Sequence, residues 1–587
     1  MVASTHWLAS QSAMAVLEHG GNAFDAAAAA GFVLQVVEPH LNGSAGEVPI
    51  LGWDARDDAP FVVCGQGVAP RAATIERFHS LGLDLVPGTG LLAACIPGSF
   101  DGWLTLLERH GTMRLREVLG YAIGYAEGGF PVVPNISATI ATVEQLFTEH
   151  WPTSARLWMP DGKPPAAGSM LRNPELAQTF RRILAEAEAV GADREAQLEA
   201  ARRAYYQGFV AEAICRFARE NAVMDVSGEP HTGLLTEDDF AGWRATVEEP
   251  VSLDYRDRTV LKADAWSQGP VLLQQLALLR GFDLDGLAPN DPDLVHLVTE
   301  CAKLAFADRE AWYGDPRVVD VPLRTLLSRK YNDARRALVG EYADTGPLRP
   351  GSPDGREPRL GRVSERLRGE VRQEARREAG AVGEPTVRTT GETAGDTCHV
   401  DVVDRWGNMV SATPSGSWLQ SSPAIPGLGL QLSTRAQMFW LEEGLAASLA
   451  PGKRPRTTLT PSLALRDGRP WLAFGTPGGD GQDQWSLQLF LHLVHGGLNL
   501  QEAIDAPEWS SSHFPSSFYP RERFPGRLHV ESRLGEATIA ELRRRGHEVV
   551  DEGPWALGRL SAVSRDEDGV LRAGANPRGM QGYAVGR

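Results

Sequence analysis

Apolar positions recur every third or fourth residue in some stretches and every second residue in others, and these two periods divide the chain into helices and strands. Residues 11–19 and 25–37 read as helices, the second alanine-rich enough to pack closely against a sheet. Residues 104–109, 115–127, 175–206 and 294–313 carry i, i+3, i+4 apolar spacing and predict further helices. Strict alternation marks residues 397–404, the turn Arg405-Trp406-Gly407-Asn408 supplies Gly and Asn for positive φ, and residues 409–413 read as the return strand. Thr397 therefore heads a predicted sheet strand. A second hairpin is predicted over residues 462–474 around Asp467-Gly468. Its second strand runs into Gly475-Thr476-Pro477-Gly478-Gly479, behind which Trp485, Leu487, Leu489, Phe490 and Leu493 predict a helix. Residues 339–395 differ: they are rich in Gly, Pro, Arg and Glu, hold one plausible helix at 363–377, and otherwise read as a solvated tether. There is no internal repeat.

Two of these features carry chemistry. A threonine hydroxyl is a poor nucleophile at neutral pH, and freeing the α-amino group of the same residue supplies a base beside it. Cutting the chain between Asp396 and Thr397 would expose both groups at once. A Gly-Gly pair at a strand-to-helix turn leaves backbone N–H groups pointing outward with the positive helix end behind them, an arrangement suited to an oxyanion.

The chain resembles the gamma-glutamyltranspeptidase family of the N-terminal-nucleophile hydrolases at many ordered points. Met1-Val2-Ala3-Ser4-Thr5-His6-Trp7-Leu8-Ala9-Ser10, Gly20-Gly21-Asn22-Ala23-Phe24-Asp25-Ala26-Ala27 and Val37-Glu38-Pro39-His40 are similar to the family's opening. Asp254-Tyr255-Arg256, Ala305-Phe306-Ala307-Asp308-Arg309 and Gly314-Asp315-Pro316 are similar to its middle signatures. Lys453-Arg454-Pro455-Arg456-Thr457-Thr458-Leu459-Thr460-Pro461 and Pro477-Gly478-Gly479 follow Thr397 as expected of the family. The resemblance implies an α+β fold, a four-layer αββα sandwich formed jointly by two self-cleaved fragments. Residues 1–396 would be the large subunit, ending in a flexible tether over 338–396, and residues 397–587 the small one. It further implies Thr397 Oγ as nucleophile, its freed amine as base, Gly478 and Gly479 as oxyanion donors, Ser415 as the hydroxyl that activates the nucleophile, and Thr457 and Thr458 as holders of a substrate carboxylate. His399, two residues beyond Thr397, is expected to pack in the strand rather than act as a base.

Specificity is where the sequence departs from the family. Gln66 stands where an arginine grips the γ-glutamyl α-carboxylate, and a neutral amide cannot form that bidentate charged pair. Met438 stands where an aspartate pairs with the α-ammonium, Arg435 replaces a glutamine, Ser417 replaces an asparagine, and residues 41–47 lack the usual glycines. The expected function is a self-processing threonine amidohydrolase or acyltransferase acting on a small acid amide or acyl-amide, oxamate-like or acylase-like, with Arg435 free to receive a carboxylate. One alternative is a true γ-glutamyl hydrolase or transpeptidase using Arg71 or Arg435 as a displaced anchor. Another is an unprocessed, catalytically silent binding scaffold; carbon–carbon bond hydrolysis is a more distant option.

Composition removes partners rather than adding them. The net charge of −17 over 587 residues disfavours nucleic acid and anionic membranes. Residues 26–37 are too short to span a bilayer. The family opening begins at Met1 with no apolar leader ahead of it, so a cytoplasmic enzyme is the simplest expectation and a truncated start the competing one. Five scattered cysteines suggest free thiols rather than a disulfide framework. Without an HExxH or CxxC pattern no metal is expected, and Gly88-Thr89-Gly90-Leu91-Leu92-Ala93 is too weak to imply a dinucleotide cofactor. The expected partners are a small-molecule amide and the chain's own two fragments, and a homodimer is left open.

Overall fold

A computed structural model describes residues 1–363, 397–578 and 581–587. Among these residues two antiparallel sheets form the centre. The first has seven strands, in the order Tyr583–Val585, Val2–Ser4, Val400–Val403, Met409–Ala412, Val48–Asp54, Ala59–Gly65 and Thr246–Glu248. The second has six, in the order Leu571–Ala575, Ser561–Arg565, Arg469–Gly475, Ser462–Arg466, Arg258–Lys262 and Val251–Tyr255. Local hairpins alternate with pairings between segments hundreds of residues apart, such as Val2–Ser4 with Val400–Val403 and Arg258–Lys262 with Ser462–Arg466, and the parts before and after Thr397 both contribute strands to both sheets.

Side-chain alternation explains the layering, because successive residues of a strand face opposite sides. Val400, Val402, Val410 and Ala412 point to a helical layer that includes Trp7–Glu18, Ala23–Val37 and Ser99–His110, whereas Val403 and Met409 point into the space between the sheets. In the second sheet Val260, Ala464, Leu472 and Phe474 face the helices Pro270–Leu279, Pro292–Trp312 and Gln482–Val494, while Leu261, Leu463 and Ala473 meet the first sheet. The layers are helix, sheet, sheet, helix, as the family resemblance implied. Full burial of each such aliphatic side chain contributes roughly 1.5–3 kcal/mol.

The alanine-rich helix Ala23–Val37 is buried along its whole length and starts in a capping box between Asn22 and Asp25. Gly31 lets it approach Trp103 so closely that a Cβ there would lie 2.2 Å from the indole.

Three expectations need adjustment. The predicted helix over 175–206 is two helices, Pro174–Glu188 and Arg194–Tyr206, separated at Gly191 with φ +114°. Regular strand structure begins at Val400, and Thr397 makes an isolated antiparallel bridge to Ser415 instead. Residues 339–363 are anchored rather than loose: Gly351 N–H donates to Asp308 (2.6 Å), and Trp312 donates to the Gly351 carbonyl (3.2 Å). The helix expected over 363–377 and the rest of the tether fall almost wholly outside the described residues. Gly88–Ala93 lies in irregular chain, not at a strand-to-helix turn. All five cysteines are buried, and none is paired in a disulfide. Among the described residues no helix is long and apolar enough to cross a membrane.

Candidate active site

Thr397 sits beside the central strand Val400–Val403, held from both sides by groups the local sequence supplies. The Cys398 N–H donates to the Pro414 carbonyl (2.9 Å), and the Thr5 N–H donates to the His399 carbonyl (3.1 Å). Glu38, from the Val-Glu-Pro-His motif, accepts from Thr5 Oγ1 (2.7 Å) and Cys398 Sγ (3.0 Å). Below this segment His399 is buried between the sheets, within 2.9 Å of Thr413 Oγ1 through Nδ1 and 3.0 Å of Asp401 through Nε2. Asp401 in turn accepts from Ser561 Oγ (3.0 Å), so the histidine ties the two sheets together, consistent with a packing role.

Ser415 is the residue most directly joined to Thr397, through the bridge between their backbones. Its own backbone is clamped to Glu47, N–H to carbonyl at 3.0 Å one way and 2.8 Å the other. Its hydroxyl oxygen accepts from Arg435 Nη2 at 2.9 Å, while Arg435 Nε donates to Glu47 Oε2 at 3.0 Å. Arg435 and Glu47 are only 1% and 0% exposed, so this is a buried ion pair. Burial pushes the Glu47 carboxyl up, and the Arg435 guanidinium opposes that shift. Arg435 thus spends Nε on Glu47 and Nη2 on Ser415, with Nη1 4.0 Å from Met438 Sδ.

The glycine loop leaves the second sheet against the same histidine. Gly475 packs so tightly on His399 that a Cβ would meet the ring at 2.3 Å. Gly478 and Gly479 have φ of +123° and +51°, the left-handed half of the map that glycine tolerates. Neither of their N–H groups donates to another described residue, and the helix Gln482–Val494 begins directly behind them. Gln268 links this loop to the Thr457 segment: its side chain donates to the Gly479 carbonyl (3.3 Å) and its N–H to the Thr457 carbonyl (2.9 Å). Arg309 holds Gln268 (2.8 Å) and Asp480 (2.5 Å), fixing the loop from beneath.

The remaining expected residues fall into two groups. Thr457 Oγ1 accepts from the Leu459 N–H (3.3 Å), while the buried Thr458 hydroxyl has no partner among the described residues. Gln66 is buried with its amide donating to the Gly67 carbonyl (3.0 Å) and its Oε1 unpartnered among the described residues. Ser417, at φ +57°, spends its hydroxyl on the Gln431 carbonyl. Met438 is fully buried in an apolar cluster with Trp418 and Phe518. Arg71 is 71% exposed and faces Asp239 at 3.9 Å, so it joins none of these groups.

Sequence reasoning missed Glu47, Gln268 and the structural use of Arg435. Glu47 was visible as the sole carboxylate in a Gly, Ser and Ala loop, but its partner lies 388 residues away.

The gamma-glutamyltranspeptidase family model matches residues 9–586. The chain belongs to the gamma-glutamyltranspeptidase family. Similar members include the glutathione hydrolase-like YwrD proenzyme of Bacillus subtilis, 31% identical over 100% of this chain and 98% of that one. The acylase ACY 1 proenzyme of Pseudomonas sp. strain SE83 is 32% identical over 98% of this chain and 91% of its own. The oxamate amidohydrolase proenzyme of Klebsiella pneumoniae is 32% identical over 100% and 98%. Among solved structures, LmbA2991HD shares 58% identity with a TM-score of 0.91 over 100% of this chain and 98% of that one. The cephalosporin acylase from Bacillus halodurans shares 28% identity with a TM-score of 0.81 over 99% and 94%. The fold is thus the N-terminal-nucleophile hydrolase fold of this family, whose similar members are hydrolase proenzymes.

Proposed function

We propose that this family member matures by cutting its own chain between Asp396 and Thr397, and then hydrolyses an acyl-amide whose acyl head carries no charged amino-acid group. In this reading Thr397 Oγ attacks the amide carbon while the freed α-amine takes its proton. The tetrahedral oxyanion is received by the Gly478 and Gly479 N–H groups, whose lack of acceptors among the described residues supports that role. The protonated amine then passes its proton to the departing amine, leaving an acyl ester on Thr397. Water, deprotonated by the same α-amine, attacks that ester and restores the threonine. Ser415 is a positioning residue for Thr397, with its hydroxyl oriented by Arg435 and its backbone by Glu47.

The observation that carries the substrate reading is the state of the two charged anchors. At the two anchor positions Gln66 is a neutral amide donating to the Gly67 carbonyl and Met438 lies in an apolar cluster, and the nearby Arg435 is paired with Glu47, so none offers a free charge to a γ-glutamyl head group. The acylases among the relatives agree with this choice. The Thr458 hydroxyl, without a partner among the described residues, and the YwrD relative favour a second reading, γ-glutamyl hydrolysis with the Thr457-Thr458 pair holding the carboxylate. A panel of neutral acyl-anilides, oxamate, glutathione and γ-glutamyl-p-nitroanilide decides between them. The first reading expects kcat/KM highest for neutral acyl-amides. Losing two charge-assisted contacts of roughly 1.5–3 kcal/mol each predicts γ-glutamyl substrates about two to four powers of ten poorer. Efficient cleavage of γ-glutamyl-p-nitroanilide would instead establish the second reading.

A further inference from the structure

We infer that His296, Glu300 and His547 form a binding site for one divalent transition-metal ion, Zn²⁺ by the character of its ligands, remote in role from Thr397. Each offers one ligand atom, and these atoms all lie within 4.8 Å of one another. All three residues are buried, which separates them from the exposed carboxylate clusters common on protein surfaces.

The geometry is built from two directions. His296 and Glu300 are one turn apart on the helix Pro292–Trp312 and so share a face. His547 sits between the helix Glu536–Arg544 and the strand Glu548–Asp551 and brings its Nε2 to 2.9 Å from His296 Nδ1. The other nitrogen of His296, Nε2, lies 2.9 Å from the Gly340 carbonyl. That carbonyl can only accept, so it fixes the proton on Nε2 and leaves the Nδ1 lone pair aimed at His547. A backbone carbonyl on the far nitrogen is how metal-ligating imidazoles are oriented. His547 Nδ1 has no partner among the described residues, so the protein does not hold this ring in the tautomer that would keep a proton between the two histidines. Glu300 Oε1 accepts from Lys303 Nζ (2.6 Å), and among the described residues Oε2 meets only the Asp344 N–H (3.2 Å), which leaves lone pairs for an ion.

Tetrahedral Zn²⁺ with bonds of ~2.0–2.1 Å places its ligand atoms about 3.3 Å apart, so the histidines need part by only about 0.4 Å. Two imidazoles and a carboxylate suit Zn²⁺ over Ca²⁺ or Mg²⁺, which prefer all-oxygen shells. Binding moves the proton between the imidazoles from His547 Nε2 to His547 Nδ1, so both rings ligate as neutral imidazoles with no net proton released. On the self-cleavage reading, His296 and Glu300 belong to the first fragment and His547 to the second, so the ion would clasp the two together.

The test uses the untagged full chain. Metal analysis after dialysis should find about one Zn²⁺ per chain, or metal-free protein should take up one Co²⁺ with the visible bands of a four-coordinate site. His296→Gln and His547→Gln should lose the ion, His547→Cys should keep it because a thiolate also binds Zn²⁺, and chelation should lower Tm in the wild type and in His547→Cys but not in the two Gln variants. The uncut Thr397→Ala variant should still bind, which separates the site from the cleavage reading. Wild-type protein that takes up neither Zn²⁺ nor Co²⁺, or that binds no more than a folded His296→Gln/His547→Gln double variant, overturns the proposal.

Discussion

Replacing Arg435 with Met removes one guanidinium from two partners at once and separates a structural role from a positioning one. Glu47 would be left 0% exposed with its ion-pair partner gone. Breaking a buried pair from one side destabilises by about 3–5 kcal/mol, because the remaining charge is uncompensated. Ser415 would lose a charge-assisted hydrogen bond of 2.9 Å. Such a bond contributes roughly 1.5–3 kcal/mol, and if it orients the hydroxyl in the transition state its loss slows the reaction about 10- to 150-fold. Adding Glu47→Gln to Arg435→Met removes the stranded charge, so most of the stability should return while turnover stays low. Urea unfolding gives the first quantity, and chain processing with acyl-anilide turnover gives the second. A double variant that recovers both stability and full activity would refute the positioning role and reduce the pair to scaffolding. An Arg435→Met protein as stable as the wild type would refute the buried pair itself.

Other outcomes follow from single sites. Gly478→Ala would place a Cβ 2.2 Å from Trp485 at φ +123°, displacing the donor loop; turnover should fall about 100-fold or more, and unchanged turnover would remove the loop from the mechanism. Burial pushes the Glu508 carboxyl up to about 8, with the neighbouring Arg578 opposing it. A raised carboxyl binds its proton more tightly folded than unfolded, so its contribution is fully present below about pH 4.5 and is lost as pH rises through about 8. Glu508→Gln should therefore gain stability over the wild type with rising pH, by at most about 5 kcal/mol near pH 9, in paired thermal melts. Parallel melting curves across that range would contradict it.

Individual helices and strands were legible because period-two and period-3.6 patterns are local, whereas their stacking into four layers came only from the family resemblance. The hairpin at Arg405–Asn408 and the helix behind Gly479 needed only their own residues, and the structure shows both. The break at Gly191 was missed because apolar spacing runs on through it, while a single residue at positive φ ends the helix. Within the site, the residue types of Thr397, Ser415 and the two glycines were readable from motifs, but what each touches was not. Arg435 looked like a free cation because Glu47, Ser415 and Trp418 reach it from segments that no local pattern connects. The same holds for His547, which meets His296 across 251 positions. Long-range pairing of buried charge is set by topology, and the sequence shows only the residue types available for it.

The central claim is that Thr397 becomes an N-terminus and is the nucleophile, and N-terminal analysis with intact mass of the purified active protein tests it most directly. The account predicts two associated fragments of 396 and 191 residues, counted from the 587-residue chain, the smaller beginning Thr397-Cys398-His399, and a single uncut chain for Thr397→Ala. An active enzyme that remains one chain, or whose smaller fragment begins at any other residue, would contradict it.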